Sequence, residues 1–332
     1  VDLTPSEEQV MVRDMVRRFL ADRYDATTMA QGPMAPEDWR ALGELGLFAF
    51  LLPERAGGMS GGAVEIMIVA EEFGRALAIT PLAESVVLCG HVIARDGAAA
   101  DRWGEALAQG ETILAFARGG GIAGGRLSGA VGIVRDGMAA SALVIATEGQ
   151  VVTIDADAPG IRRRPVRLVD GSVAADVWFD GAPAVPLDLG EDGLGGAVAL
   201  GELAIIAEMV GAMGTLLDLT VDYVRQRTQF GKPIGSFQVV QHRCARLYTL
   251  LEQSRSLLLR AALVADGERR AAVTAAKAYV CDAALKLAED AVQLHGGMGV
   301  TDELPVGRGL RRVLLLSRLF GGAIAARVAL AA

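Results

Sequence analysis

A chain of 332 residues is long enough to bury a large core and to hold about two or three domains. Its residues are 52% hydrophobic and only 5% aromatic, which predicts an aliphatic, Ala-rich core of closely packed helices, and the net charge of -8 argues against a nucleic-acid surface while leaving room for a local basic patch. Cys89, Cys244 and Cys281 lie far apart, the histidines are scattered, and neither a basic leader nor an uncharged apolar run of about eighteen residues occurs; no metal site and no membrane insertion are expected, in a soluble protein of the reducing cytoplasm.

Thr4-Pro5-Ser6-Glu7-Glu8 reads as a helix start, with a capping hydroxyl, proline in the first turn and acids at the positive end of the dipole. Val10, Val12, Met15, Val16, Phe19 and Leu20 supply its apolar face. Pro36 opens a second helix through Trp39, Leu42 and Leu45, which Gly46 stops. Residues 47–52 are expected to form a loop that runs on through Pro53 and Gly57-Gly58, and residues 64–77 are helical again. Glu71 and Glu72 sit inside that helix; neighbours on a helix do not face each other, so they read as members of solvated or interface ion pairs rather than as an acid/base couple. From Glu111 the texture changes to Gly- and Asp-punctuated β-prone runs at 113–116, 130–134, 142–146, 151–154, 161–166 and 175–179, which predict a small antiparallel β domain between two helical ones. Gly119-Gly120-Gly121, Gly124-Gly125 and Gly129 lack the G-x-G-x-x-G spacing and precede no helix, so they are assigned to loops and hairpins rather than to a phosphate cradle.

Leu203, Ile206, Val210, Met213, Leu217, Val221 and Val224 recur in steps of three and four, the stripe of a buried helix. Gly231, Pro233 and Gly235 then break the pattern before a second periodic run over 239–263, so the two form a long helical hairpin. Its turn carries a guanidinium (Arg227), two amides (Gln229, Gln238) and two rings (Phe230, Phe237). Such a turn suits a solvated corner, or a phosphate held by the Arg fork beside a flat heterocycle. A third helix over 271–292 ends at Gly296-Gly297, where glycine serves a left-handed cap or the close approach of a diphosphate. His295 suits capping or packing.

Arg227-Thr-Gln-Phe-Gly-Lys-Pro-Ile-Gly-Ser-Phe-Gln238 resembles the flavin-contacting turn of the acyl-CoA dehydrogenase family, and Gln293-Leu-His-Gly-Gly-Met-Gly299 resembles a second motif of the same family. The resemblance covers nearly the whole chain, Trp39 to Ala78 included. It implies a mainly α fold in three domains: N-terminal helical (1–110), a shortened middle β domain (111–190) and a C-terminal four-helix bundle (191–332). It implies FAD as cofactor, with Arg227, Gln229, Phe230, Gln238, Gln293, Gly296 and Gly297 reaching across a subunit interface to the adenosine diphosphate half of a neighbour's FAD. It further implies that the N-terminal domain covers the acyl chain, that the substrate is an acyl-CoA, and that an electron-transfer flavoprotein or similar acceptor takes the electrons.

The chain departs from that pattern on the other side of the cofactor. Where the family has a Thr-Glu-Pro-x-x-Gly-Ser-Asp-like loop, this chain has Ala117-Arg-Gly-Gly-Gly121, and where a Trp-Ile-Thr-Asn-Gly-like strand backs the flavin ring, it has Ile133-Val-Arg-Asp-Gly137. The ring-stacking Trp and the hydroxyl donor are both missing. The family reaction removes the α-proton of a thioester with a carboxylate, which stands in a Tyr-Glu-Gly-Thr stretch; laid over residues 310–322, that pattern puts Phe320 where the Glu belongs. Some members place the base near the start of the helix leading into the Arg turn, beside Glu202, although an acid in a first helical turn needs no catalytic role. The leading expectation is therefore a partner-dependent subunit, completing the FAD site of a catalytic homologue in an α2β2 assembly and resembling the short subunits of bacterial enzymes for bulky, steroid-type acyl-CoAs. A self-sufficient homo-oligomer with Glu202 as base and a flavin-free scaffold are the alternatives.

Overall fold

The computed structural model describes residues 5–24, 32–190 and 193–331. Ser6 caps the first helix: its hydroxyl accepts from the Gln9 backbone N–H while the Gln9 side chain accepts from that of Ser6. Pro5 therefore precedes the cap instead of opening the helix, and Thr4 lies outside the described residues.

The helices α1 (Glu7–Arg23), α2 (Pro36–Glu44), α3 (Leu47–Leu51), α4 (Ala63–Arg75), α5 (Gly90–Ile93) and α6 (Gly97–Ala108) come before the strands, with a wide π-type run at Leu82–Cys89 leading into α5. The strands are β1 (Leu114–Arg118), β2 (Gly121–Ala123), β3 (Arg126–Arg135), β4 (Ala142–Ala146), β5 (Val151–Asp155), β6 (Ile161–Arg167), β7 (Val173–Pro183) and β8 (Val185–Pro186). Then follow α7 (Gly193–Gln226), the two-residue strands β9 (Thr228–Gln229) and β10 (Lys232–Pro233), α8 (Gln238–Leu263), α9 (Asp266–His295), α10 (Pro305–Leu316) and α11 (Gly322–Ala331). The chain divides into two compact units, one drawn from Val1–Gly32, Met67–Ile79 and Glu202–Ala332, the other from Pro33–Ile66 and Thr80–Gly201.

In the second unit, two four-stranded sheets, ordered β1-β4-β5-β8 and β2-β3-β7-β6, share an aliphatic core that includes Leu127, Leu143, Ile145, Val152, Ile154, Val177 and Phe179. The expected all-antiparallel domain is corrected at one place: β1 and β4 pair parallel. The chain leaves β1 to build β2 and β3 in the other sheet, and that excursion lets it return in the same direction. Gly124 and Gly125, at φ 54° and 72°, form the hairpin turn between β2 and β3, so these glycines do serve a hairpin. The stretch expected as a loop after Gly46 is instead α3 and a 3-10 turn at Glu54–Ala56, because Leu47, Phe48, Leu51 and Ala56 are buried and their backbone must pair internally.

In the helical unit, Leu203, Ile206, Val210 and Met213 are fully buried, and so are Ala204, Ala207, Met209 and Ala212 between them, so α7 is covered on more than the predicted stripe. This helix is long and apolar enough to cross a membrane, and 78% of its apolar window is buried inside the protein, as in a core helix. α4 crosses α7 at glycines: a Cβ on Gly74 would overlap the Glu208 carbonyl oxygen, and one on Gly211 that of Glu71. Alanine in a helix normally gains about 1 kcal/mol over glycine. Here overlap reverses the sign, and Gly211→Ala is expected to destabilise by about 1–3 kcal/mol, read from the urea midpoint. The acids of α4 are ion-paired, with the carboxylates more covered than their partners: Glu72 is 5% exposed and accepts two bonds from the half-exposed Arg17, at 2.7 and 3.0 Å, while Glu71 lies 4.0 Å from Arg255. Burial pushes the Glu71 carboxyl above its ordinary value.

Candidate functional site

α7 hands over to the Arg227 turn without losing register. The Arg227 N–H still donates to the Tyr223 carbonyl, and Ile234 N–H closes back on the Arg227 carbonyl, each at 2.8 Å. Between them, β9 and β10 pair antiparallel around Phe230 and Gly231, at φ 54° and 78°, which is a two-residue type I′ hairpin. A phenylalanine in the left-handed region costs about 1–2 kcal/mol. Its ring is 93% exposed and meets the edge of Phe237, centroids 6.2 Å apart, so little among the described residues recovers that cost. Arg227, Gln229 and Gln238 are exposed as well. The Gln229 amide donates to the adjacent Thr228 carbonyl at 2.8 Å, and the Arg227 guanidinium has no partner among the described residues.

The second motif is fixed to the same end of α7. Tyr223 donates to the His295 carbonyl at 3.2 Å, and the two rings stack at 4.3 Å. His295 is buried, burial lowers its pKa, and its Nδ1 lies 2.8 Å from the Ala291 carbonyl; it is a packing residue. Gln293, Gly296 and Gly297 face solvent beyond it. Gly296 has φ 62° and ψ -140°, so the expected left-handed cap is replaced by a conformation that only glycine adopts readily, followed by a 3-10 turn over Gly296–Val300. A Cβ on either glycine would meet nothing within 4 Å. A free guanidinium, three exposed amides and open glycine backbone are the donor set that suits a diphosphate and the groups attached to it.

The two positions proposed for a base meet at a residue that sequence reasoning passed over. Lys277 Nζ lies 2.7 Å from Glu202 Oε1 and donates to the Phe320 carbonyl at 2.7 Å; it is also 5.6 Å from the Phe320 ring centroid. Lys277 is 6% exposed. Phe320 itself sits at φ 49° in the tight link between α10 and α11, which the lysine holds from inside. Glu202 does not stand in a first turn, because α7 already starts at Gly193, so a helix-dipole effect does not account for it. Cys281, one turn beyond Lys277, has its thiol pushed up to about 11 by burial and is no nucleophile. The signal for Lys277 was a charge on a buried stripe, with Val273, Val280 and Ala284 at helical spacing around it.

The Ile133–Gly137 stretch does not fit a flavin ring. Ile133 is 60% exposed at φ 56°, in the irregular stretch where β3 slips against β7, and its N–H donates to Asp176 Oδ1 at 3.1 Å. Arg135, standing where the hydroxyl donor belongs, turns inward to within 3.7 Å of Glu84 and is 7% exposed. Residues 117–121 bring no hydroxyl.

Residues 6–111 match the acyl-CoA dehydrogenase N-terminal domain and residues 196–330 the acyl-CoA dehydrogenase C-terminal domain. The acyl-CoA dehydrogenase IpdE2 of Mycobacterium tuberculosis is 31% identical over 91% of this chain and 89% of its own length. FadE34 of the same organism is 30% identical over 96% of this chain, which spans only 47% of that longer relative. Among solved structures, the ChsE4-ChsE5 complex of Mycobacterium tuberculosis is similar at a TM-score of 0.90 and 27% identity, covering 100% of this chain and 98% of the other. The Tcur3481-Tcur3483 steroid acyl-CoA dehydrogenase, in a G363A variant, is similar at 0.88 and 27%, covering 98% and 97%. The chain belongs to the acyl-CoA dehydrogenase family, oxidoreductases that act on a CH–CH bond, and it has that family's three-domain fold.

Proposed function

We propose that this chain is the non-catalytic subunit of an FAD-dependent acyl-CoA dehydrogenase, working in the cytoplasm in an α2β2 assembly with a homologue that supplies the ring-binding strand and the catalytic carboxylate. The observation that carries the reading is the Lys277 cluster: of the two base positions, one is a phenylalanine and the other has an oxygen bonded to a buried ammonium. The exposed Arg227 turn also supports it, because its guanidinium is left without a partner among the described residues and open to a group from outside the chain. Arg227 would hold the cofactor diphosphate with two parallel bonds, Gln229, Gln238 and Gln293 would bond the sugar and base, Phe230 would pack on the flat adenine, and Gly296-Gly297 would admit the phosphates to backbone N–H groups. FAD supplies the electron acceptance for oxidation of the acyl chain when bound. Two similar structures carry paired names, the ChsE4-ChsE5 complex and the Tcur3481-Tcur3483 steroid acyl-CoA dehydrogenase, which supports a paired subunit and a bulky acyl-CoA substrate. An electron-transfer flavoprotein or similar acceptor would reoxidise the cofactor.

The test is stoichiometry. A saturated complex is expected to hold about one FAD per pair of unlike chains, because the pocket backed by Ile133 and Arg135 forfeits ring stacking and several hydrogen bonds at about 1 kcal/mol each. Released flavin measured by absorbance against protein gives the ratio, and about one per chain would overturn the reading. A companion result is expected from Glu202→Gln, which should leave turnover of the complex within a few-fold of wild type. A true base loses about a hundredfold or more when neutralised, and such a collapse with FAD still bound would instead make Glu202 the base.

A further inference from the structure

α1, the end of α4 and the second half of α7 line a cleft of about 430 Å³, and every lining residue belongs to the helical unit. That volume falls in the range of about 300–1,000 Å³ usual for small-molecule sites. No residue of the Arg227 turn or of the Lys277 cluster takes part in it. Leu20, Tyr24 and Ala76 supply an apolar wall; the Tyr24 hydroxyl is already committed to the Gly32 carbonyl, at 2.9 Å, so it brings a ring rather than a free donor. Two guanidinium groups also line the cleft, and they are not equivalent. Arg17 is paired with Glu72, which accepts from it twice. Arg75 makes no hydrogen bond through its guanidinium among the described residues: its ion-pair partner Asp218 is 3.6 Å away and 69% exposed, whereas the Arg75 side chain is only 32% exposed. A pair of that length with an exposed acid is weak. α7 nevertheless fixes Arg75 in place, because Thr215 Oγ1 donates to its carbonyl at 2.6 Å and Gly214 leaves room for the guanidinium, where a Cβ would stand 3.0 Å from Nη1.

We infer that this cleft binds a small organic carboxylate, with its charge on Arg75 and its apolar body against Leu20, Tyr24 and Ala76. The charges of the wall select the class. Arg17 and Glu72 cancel, which leaves one cation lining the cleft, and a singly charged ligand matches it; a dianion such as phosphate would turn its surplus charge on Glu72 and Asp218. A carboxylate can take the guanidinium fork through two parallel bonds, where Asp218 offers one long contact. A bare ion would leave the apolar wall wet, whereas an alkyl or aryl body covers it. The site needs neither FAD nor a second chain, so it stands or falls apart from the subunit reading. A ligand held there joins α1 and α4 to α7, and by binding only the folded state it stabilises the helical unit.

The experiment titrates the full chain with phenylacetate by calorimetry, beside acetate, 2-phenylethanol and inorganic phosphate. Saturable binding of phenylacetate is expected, with acetate and 2-phenylethanol each weaker by about tenfold or more, since one lacks the apolar body and the other the charge. Arg75→Gln should weaken phenylacetate by about tenfold or more. Asp218→Asn should tighten it by a few-fold, about two to five, because it removes the competing acid; a purely structural role for Arg75 predicts no such gain. Ala21→Trp places bulk in the cleft from an exposed position and should abolish binding, together with the rise in melting temperature that phenylacetate gives the wild type. Melts without ligand check that each variant folds, and if Arg75→Gln does not, Asp218→Asn and Ala21→Trp still decide. Absence of saturable binding, or phenylacetate affinity unchanged in Ala21→Trp, overturns the site. Equal affinity for 2-phenylethanol, or tighter binding of phosphate, overturns the carboxylate as its ligand. No arm of the experiment involves flavin or a homologue, so either failure leaves the subunit reading to its own test.

Discussion

Arg227→Ala is expected to weaken FAD binding by the complex about a hundredfold while leaving both chains folded. The two halves of this expectation rest on different observations. Folding should be untouched because the guanidinium is exposed and bonds nothing among the described residues; the turn is held by its main chain, through Tyr223, Arg227 and Ile234. Cofactor affinity should fall because two charge-assisted hydrogen bonds to a diphosphate are lost, about 3 kcal/mol. Arg227→Lys keeps the charge without the fork and should lie between the two. A flavin-fluorescence titration reads all three proteins, and an affinity unchanged in Arg227→Ala would remove this turn from the cofactor site.

Elements whose identity depends on local periodicity were legible in the residues. The stripe from Leu203 to Val224 sets α7, and the Gly231-Pro233-Gly235 cluster sets the turn, because a helix cannot continue through it. α3 was not legible: the apolar run Leu47–Leu51 is too short to show a period, and only burial against its own unit makes it helical. Nor was the parallel pairing of β1 with β4, which depends on where the chain goes between them. The site divides in the same way. Arg227 and Gly296 stand out by residue type in a turn, but Lys277 acts through residues 75 and 43 positions away in the chain, and no spacing rule connects them. Arg135 likewise looks like a surface arginine on an exposed strand until the fold turns it toward Glu84.

The largest loss of stability is expected where charge is most deeply buried. Arg312 on α10 and Glu208 on α7 are joined at 2.7 Å, and each side chain is 2% exposed. Arg312→Met fills similar volume but removes the guanidinium from a carboxylate that water cannot reach, and breaking such a pair costs about 3–5 kcal/mol. Against a total stability of about 5–15 kcal/mol for an ordinary domain, that is a large share. The alternative explanation is that the site simply needs bulk at residue 312, and Met would then be tolerated. The pairing of substitutions separates the two: Glu208→Leu/Arg312→Met removes both desolvation penalties at once and should recover much of the loss, since buried ion pairs are commonly replaceable by apolar residues of similar size. Denaturant unfolding of the two variants beside the wild type measures the difference. A single variant as stable as the wild type would show that the ion pair contributes nothing to the packing of α10 against α7. A double variant no better than the single would locate the cost in shape and not in charge, which the contact of Leu216 with Gly309 on the same pair of helices makes a real competitor.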